Sequence, residues 1–174
     1  MTALATRLTT ISCSIAAATL LVAAKPFDRR VVDTAEAGNA ESEWSHGYVG
    51  DSVTTGMFNG QSFRQARGYM RYALKTFDDT PVTVACTFVG TDRDTHSYDV
   101  IVEDSVIATR TFTSLAATAT VVEIRVPFSL TRGRTNIAVI VRARGGTTPA
   151  LREVRTIQDH NELDQRSTSS SEQG

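Results

Sequence analysis

The feature that most constrains this chain is the spacing of its apolar residues after position 68. They recur at every second residue, the period of a half-buried strand, and the 3.6-residue period of an amphipathic helix is absent there. "YMRYALKT" (69–76) alternates, and "PVTVACTFVG" (81–90) is a β-branched run bounded by Pro and Gly. "SYDVIV" (97–102) and "SVIATRTF" (105–112) flank the short turn Glu103-Asp104 and predict a hairpin. In "ATVVEIRVPF" (119–128), Val122, Ile124 and Val126 fall on one face, with Glu123 and Arg125 on the other. "TNIAVIVRAR" (135–144) and "ALREVRTI" (150–157) complete the set. About seven closely spaced strands with turn residues between them predict an all-β fold. The expected architecture is a jelly-roll-like antiparallel β-sandwich of about seven to nine strands, with a closed barrel as the alternative.

The rest of the chain divides around that core, which spans 69–157. Residues 1–24 carry one positive charge, Arg7, and then an uncharged run from Leu8 to Ala24. A membrane-spanning helix needs about 20 apolar residues, so no membrane span is expected. The run has the length of a signal-peptide core, with Ala23 and Ala24 as cleavage-site residues. A secreted or periplasmic protein is therefore expected; the alternative is an Ala-rich helical segment on a cytoplasmic one. Residues 25–68 are polar and Gly-rich, with one short strand at "RRVVDTA", and read as an arm and edge strand along the sandwich. The tail 158–174, "QDHNELDQRSTSSSEQG", has little to bury and reads as disordered.

A formal net charge of −1 removes the basic field that nucleic acid requires, although "LTRGR" and "VRARGG" are locally basic. Cys13 and Cys86 make neither a disulfide framework nor a C-x-x-C metal pair, and Cys86 within "VTVACTFV" reads as a buried core thiol. His46, His96 and His160 are each isolated in sequence, unlike zinc ligands, and are expected to be solvated loop histidines. No cofactor is expected. "TDRDTHSYD" (91–99) offers Asp92, Asp94 and Asp99 to a hard cation, but it lacks the turn Gly and closing Glu of an EF-hand loop and reads as a polar connection. There is no G-x-S-x-G and no Cys–His signature for nucleophilic catalysis. Glycoside hydrolysis needs two carboxylates across a cleft, and Asp99 with Glu123 is the pair that the strands suggest.

Short motifs then follow one another in a fixed order. Phe63, Arg64, Gln65 and Ala66 lead into an aromatic strand at 68–72. Thr87, Phe88, Gly90 and Asp92 close the next strand, and Tyr98, Asp99, Val102, Glu103, Asp104, Ile107 and Ala108 form a hairpin. Val126-Pro127 precede Leu130 and Gly133. In that order they resemble the C-terminal β-sandwich domain of bacterial β-L-arabinofuranosidase-type glycoside hydrolases, over roughly 27–157. Where that family favours Trp this chain carries Phe63, Tyr69 and Phe88, and its hairpin "VEDSVIA" lacks the turn Gly. In those enzymes a helical barrel upstream holds the catalytic cysteine and its zinc-binding partners, and no such barrel is read in this sequence. The resemblance thus implies a non-catalytic accessory domain, structural or weakly carbohydrate-binding. Its implied partners are an arabinose-containing glycan or an upstream catalytic domain.

The stretch "SHGYVGDSVTTGMFNGQSFRQARGYMRYAL" then has two readings. In one it is the edge arm running into the first core strand, anchored by the planar donor fork of Arg64. In the other, Trp44, Tyr48, Arg64 and Asp92 line a sugar-binding face, with rings on the apolar sides of sugars and polar groups on their hydroxyls. Two further readings stay open: a stand-alone secreted protein-interaction module, and a small sandwich glycosidase using Asp99 and Glu123.

Overall fold

A computed structural model of the 174-residue chain describes residues 28–77, 80–91, 93–113 and 118–160. The signal-like segment 1–24, with Cys13, and the tail beyond 160 lie outside them. Among the described residues eleven strands form two sheets. Sheet one runs β3 (Val53–Phe58), β4 (Gln61–Ala66), β11 (Ala150–His160), β6 (Val82–Val89) and β9 (Ala119–Arg125), and β1 (Asp28–Glu36) also pairs with β11. Sheet two runs β2 (Val49–Gly50), β5 (Tyr69–Lys75), β10 (Asn136–Ala143), β7 (Thr95–Val102) and β8 (Ser105–Thr113). Every pairing is antiparallel, and the sheets close face to face as the expected jelly-roll sandwich.

The alternation explains the core. Met70, Tyr72 and Leu74 of β5 and Ile137, Val139 and Val141 of β10 are all buried on the inner face of sheet two. Val84, Cys86 and Phe88 of β6 meet them from sheet one. Burying each Val, Leu or Met side chain contributes roughly 1.5–3 kcal/mol. Phe88 packs 5.0 Å from the Tyr98 ring and 5.5 Å from the Phe112 ring, edge-on and tilted. Cys86 is the core thiol read from the sequence, and burial pushes its thiol up to about 12. β6 is buried on both faces, which is why it reads as a continuous apolar run. On its outer face the Thr87 hydroxyl donates to Glu153 Oε1 at 2.9 Å.

Residues 28–68 are more ordered than an arm with one short strand. β1 covers the expected strand and pairs along β11 from Asp28↔His160 to Glu36↔Glu153, burying Ala35. Helix α1 (Ala40–Ser45) and strands β2, β3 and β4 follow. β3 and β4 are exposed or half-exposed along almost their whole length and carry no regular apolar–polar alternation, so periodicity does not reveal them. Their hairpin turns on Asn59-Gly60, with φ of 50° and 77°, the left-handed pair that matches strand twist. β11 runs on past the expected start of the tail at 158. There Gln158 Oε1 accepts the Phe77 N–H at 2.6 Å, and Nε2 donates to the Phe77 carbonyl at 3.0 Å.

Two histidines correct the expectation of solvated loops. His46 is half-buried behind α1, with Nε2 3.2 Å from Asp33 Oδ1 and Nδ1 2.6 Å from the Ser42 carbonyl. His96 is buried on β7, with Nδ1 3.2 Å from the Thr147 carbonyl. The side chain of His160 lies outside the described residues. The β7–β8 turn, which contains no Gly, sets Glu103 itself at φ 52°. Its carboxylate accepts the Ala138 N–H at 3.0 Å, which offsets part of the cost of left-handed backbone at a non-glycine residue. Among the described residues no helix is long and apolar enough to cross a membrane.

Candidate functional site

α1 carries the chain from sheet one to the edge of sheet two, and its sequence explains its bounds. Asn39 caps it, its side-chain oxygen accepting the N–H groups of Glu41 at 3.1 Å and Ser42 at 3.2 Å. Glu41 and Glu43 sit in the first turn, where negative charge suits the helix dipole. Glu43 points inward and is buried. Its Oε1 accepts Gly38 N–H at 2.7 Å and Arg64 Nε at 2.7 Å, and its Oε2 accepts Arg64 Nη2 at 2.6 Å. Arg64 Nη1 also donates to Thr55 Oγ1, and its guanidinium lies 5.1 Å from the Tyr48 ring centroid.

Behind this pair the Tyr48 and Tyr72 rings are 5.0 Å apart. Both hydroxyls are buried without a hydrogen-bond partner, and burial raises both above the ordinary tyrosine value. Arg64 and Tyr48 are thus together, as the sequence suggested, but both are engaged in holding α1 on β4 and β5. The Ala73 N–H donates to the His46 carbonyl at 2.7 Å and completes the clamp.

Trp44 stands apart from that cluster. It is on the same helix and is 89% exposed. The helix beneath it is fixed at both ends, so the ring is displayed on a rigid base. At the N-terminal end of α1 a polar groove of about 240 Å³ is lined by Glu36, Asn39, Gln61, Ser62, Arg152 and Glu153. Arg152 Nη1 donates to Gln61 Oε1 at 2.9 Å, and Asn39 Nδ2 to Glu36 Oε2 at 2.9 Å. The groove mixes amide, carboxylate, hydroxyl and guanidinium groups, which between them both donate and accept. Sequence reasoning missed these residues and Glu43. The Asn-Gly turn and the Asn cap were the local signals for them, while Arg152 and Glu153 arrive from the far end of the chain.

Asp92 lies outside the described residues. Asp99 and Glu123 are not a catalytic pair: Asp99 is on the outer face of sheet two and Glu123 on the outer face of sheet one, with both sheets between them. Packed sheets are about 10 Å apart even at their midplanes, beyond the spacing of paired glycosidase carboxylates. Asp99 is held by Arg142 and Arg144, and Glu123 pairs with Arg29 at 3.0 Å. No three His, Cys, Asp or Glu side chains converge as a metal-binding group among the described residues.

Two antiparallel sheets packed face to face are also the fold of solved carbohydrate-binding modules. A family 35 carbohydrate binding module from an environmental isolate superimposes with a TM-score of 0.56 at 15% identity, covering 73% of this chain and 96% of that one. The family 35 module from Clostridium thermocellum gives 0.52 at 8% identity, over 74% of this chain and 96% of that one. A family GH115 4-O-methyl-α-glucuronidase, with specificity for decorated arabinogalactans, gives 0.53 at 13% identity, but over 18% of its own length and 77% of this chain. These likenesses establish the shared fold. Residues 26–157 match the model of a family of unknown function, DUF6805, and the chain belongs to that family. No curated protein matches the sequence.

Proposed function

We propose that this protein is a non-catalytic carbohydrate-binding accessory module of a glycoside hydrolase, and that its ligands are arabinose-containing glycans. The observation that carries this reading is Trp44, the single tryptophan of the chain, held in solvent on a clamped helix whose N-terminal end borders a polar groove. A large ring exposed on a clamped helix offers a flat apolar surface on which a sugar ring can stack. Glu36, Asn39, Gln61 and Arg152 supply the donors and acceptors that hydroxyls need. Arg64 and Tyr48 serve by fixing α1. The match to complete carbohydrate-binding modules supports the class, and the motif order shared with arabinofuranosidase C-terminal domains supports the sugar. The same reading includes export, with a mature chain beginning after Ala24, which N-terminal sequencing of the native protein checks.

The test uses the protein's own fluorophore. Titrating arabino-oligosaccharides should shift Trp44 emission saturably, whereas Trp44→Ala, read by calorimetry, should lose binding by tenfold or more at unchanged stability. Matched xylo- and galacto-oligosaccharides should bind more weakly. Tight binding of those sugars alone would overturn arabinose as the ligand, and no binding of any glycan at millimolar concentration would overturn the module reading.

A further inference from the structure

The basic run "VRARGG" plays no part in the site above, and the fold gives it a definite place. Arg142 and Arg144 leave the end of β10 on the outer face of sheet two and converge on one carboxylate. Arg142 Nη2 donates to Asp99 Oδ2 at 2.8 Å, and Arg144 Nη1 to Asp99 Oδ1 at 3.2 Å. The Thr109 hydroxyl donates to Asp99 Oδ1 at 2.7 Å. The Asp99 side chain is 4% exposed, while Arg142 and Arg144 are 48% and 55% exposed. Each guanidinium has five N–H donors; Arg142 uses Nη2 on Asp99, and Arg144 uses Nη1 on Asp99 and on Thr109 Oγ1 at 3.4 Å, which leaves the donors of the other nitrogens for a ligand. One buried carboxylate therefore orients two half-exposed cations, leaving an excess positive charge already held in place.

The surroundings extend the pattern. Tyr69, Arg142, Asp99 and Thr109 form one row across β5, β10, β7 and β8. Arg71 and Lys75 face outward from β5, and Asp99 is the acid among the outward residues of these four strands. Beyond Asp99 the face continues in hydroxyls, with Ser97 beside Thr111 and Thr95 beside Thr113. A chain of net charge −1 thus gathers cations, hydroxyls and one aromatic ring on a single face.

The geometry points to a second glycan contact on the outer face of sheet two, in which Arg142 and Arg144, positioned by Asp99, bind the carboxylate of an acidic sugar beside Tyr69. This rests on the carbohydrate-binding reading and adds the ligand's charge to it. Guanidinium groups pair with carboxylates through directed N–H donors, and pre-oriented donors lose less entropy on binding.

The test compares a glucuronic acid-bearing arabino-oligosaccharide with the same compound after reduction of its carboxyl to an alcohol. The acidic form should bind about tenfold more tightly at low salt, and the advantage should shrink several-fold at 0.5 M salt as the charges are screened. Arg144→Gln leaves Asp99 paired with Arg142, keeps the fold, and should remove most of the preference without weakening the neutral compound. Trp44→Ala should weaken both. Equal binding of the two compounds, or a preference unchanged in Arg144→Gln, overturns the anion contact and leaves the module reading standing. Binding of neither compound overturns both. A sulfated counterpart that binds while the carboxylated one does not overturns the assignment to a carboxylate.

Discussion

Glu43 and Arg64, 21 residues apart in the chain, meet through two near-parallel hydrogen bonds of 2.7 and 2.6 Å. This fork ties α1 to β4 and so fixes the base on which Trp44 stands. Arg64→Met leaves the Glu43 carboxylate buried without its cation and should lower stability by about 3 kcal/mol in urea unfolding. Arg64→Lys should recover little, because one ammonium cannot reproduce the two-point geometry. Both variants should also weaken glycan binding through displacement of α1, which Trp44 emission reads in the native state.

Asp99 gives the fold a pH dependence with a definite sign. Burial alone raises its carboxyl, but hydrogen bonds from Arg142, Thr109 and Arg144 outweigh burial and hold it below the usual carboxylate range. A group depressed in the folded state stabilises fully above its unfolded value, about 3.9 for Asp. That contribution is lost as pH falls through the folded value. Asp99→Asn should therefore be less stable than wild type at pH 7, by about 1–3 kcal/mol. The gap should narrow steadily below about pH 4. Urea midpoints of both proteins from pH 7 to pH 2.5 check this; a gap independent of pH would remove Asp99 from the acid limb.

Gly50 gives Tyr48 its room. A methyl at Gly50 would overlap the Tyr48 hydroxyl and a Val53 methyl. Gly50→Ala should cost about 1–3 kcal/mol by overpacking. Tyr48→Phe should be close to neutral, since the hydroxyl it removes is buried without a partner. The double variant should recover part of the loss, a coupling that thermal unfolding measures directly.

The Cys86 thiol, fully buried and pushed up to about 12, should resist alkylation at pH 8 in the native protein. Mass spectrometry of the Cys86 peptide should show labelling after unfolding in urea. Labelling of the native protein at a comparable rate would mean that β6 opens readily.

The strands after residue 68 were legible because alternation is a local consequence of burying one face. Residues that flank Tyr98, Val100 or Val139 in sequence point the other way whatever strand lies beside them. The turn at Glu103-Asp104 and the core place of Cys86 were legible for the same reason. β3, β4 and α1 were not, because strands with no buried face to alternate and a six-residue helix are too weak or too short to show a period. Trp44, Tyr48 and Arg64 could be picked out by residue type, but not the difference between them. Only the tertiary structure decided that Arg64 is engaged by Glu43 while Trp44 stands free, and that Asp99 serves two arginines 43 and 45 residues away rather than Glu123. Those outcomes depend on which strands lie side by side and in what register, and register is set by the whole sandwich closing over its core, not by any one segment.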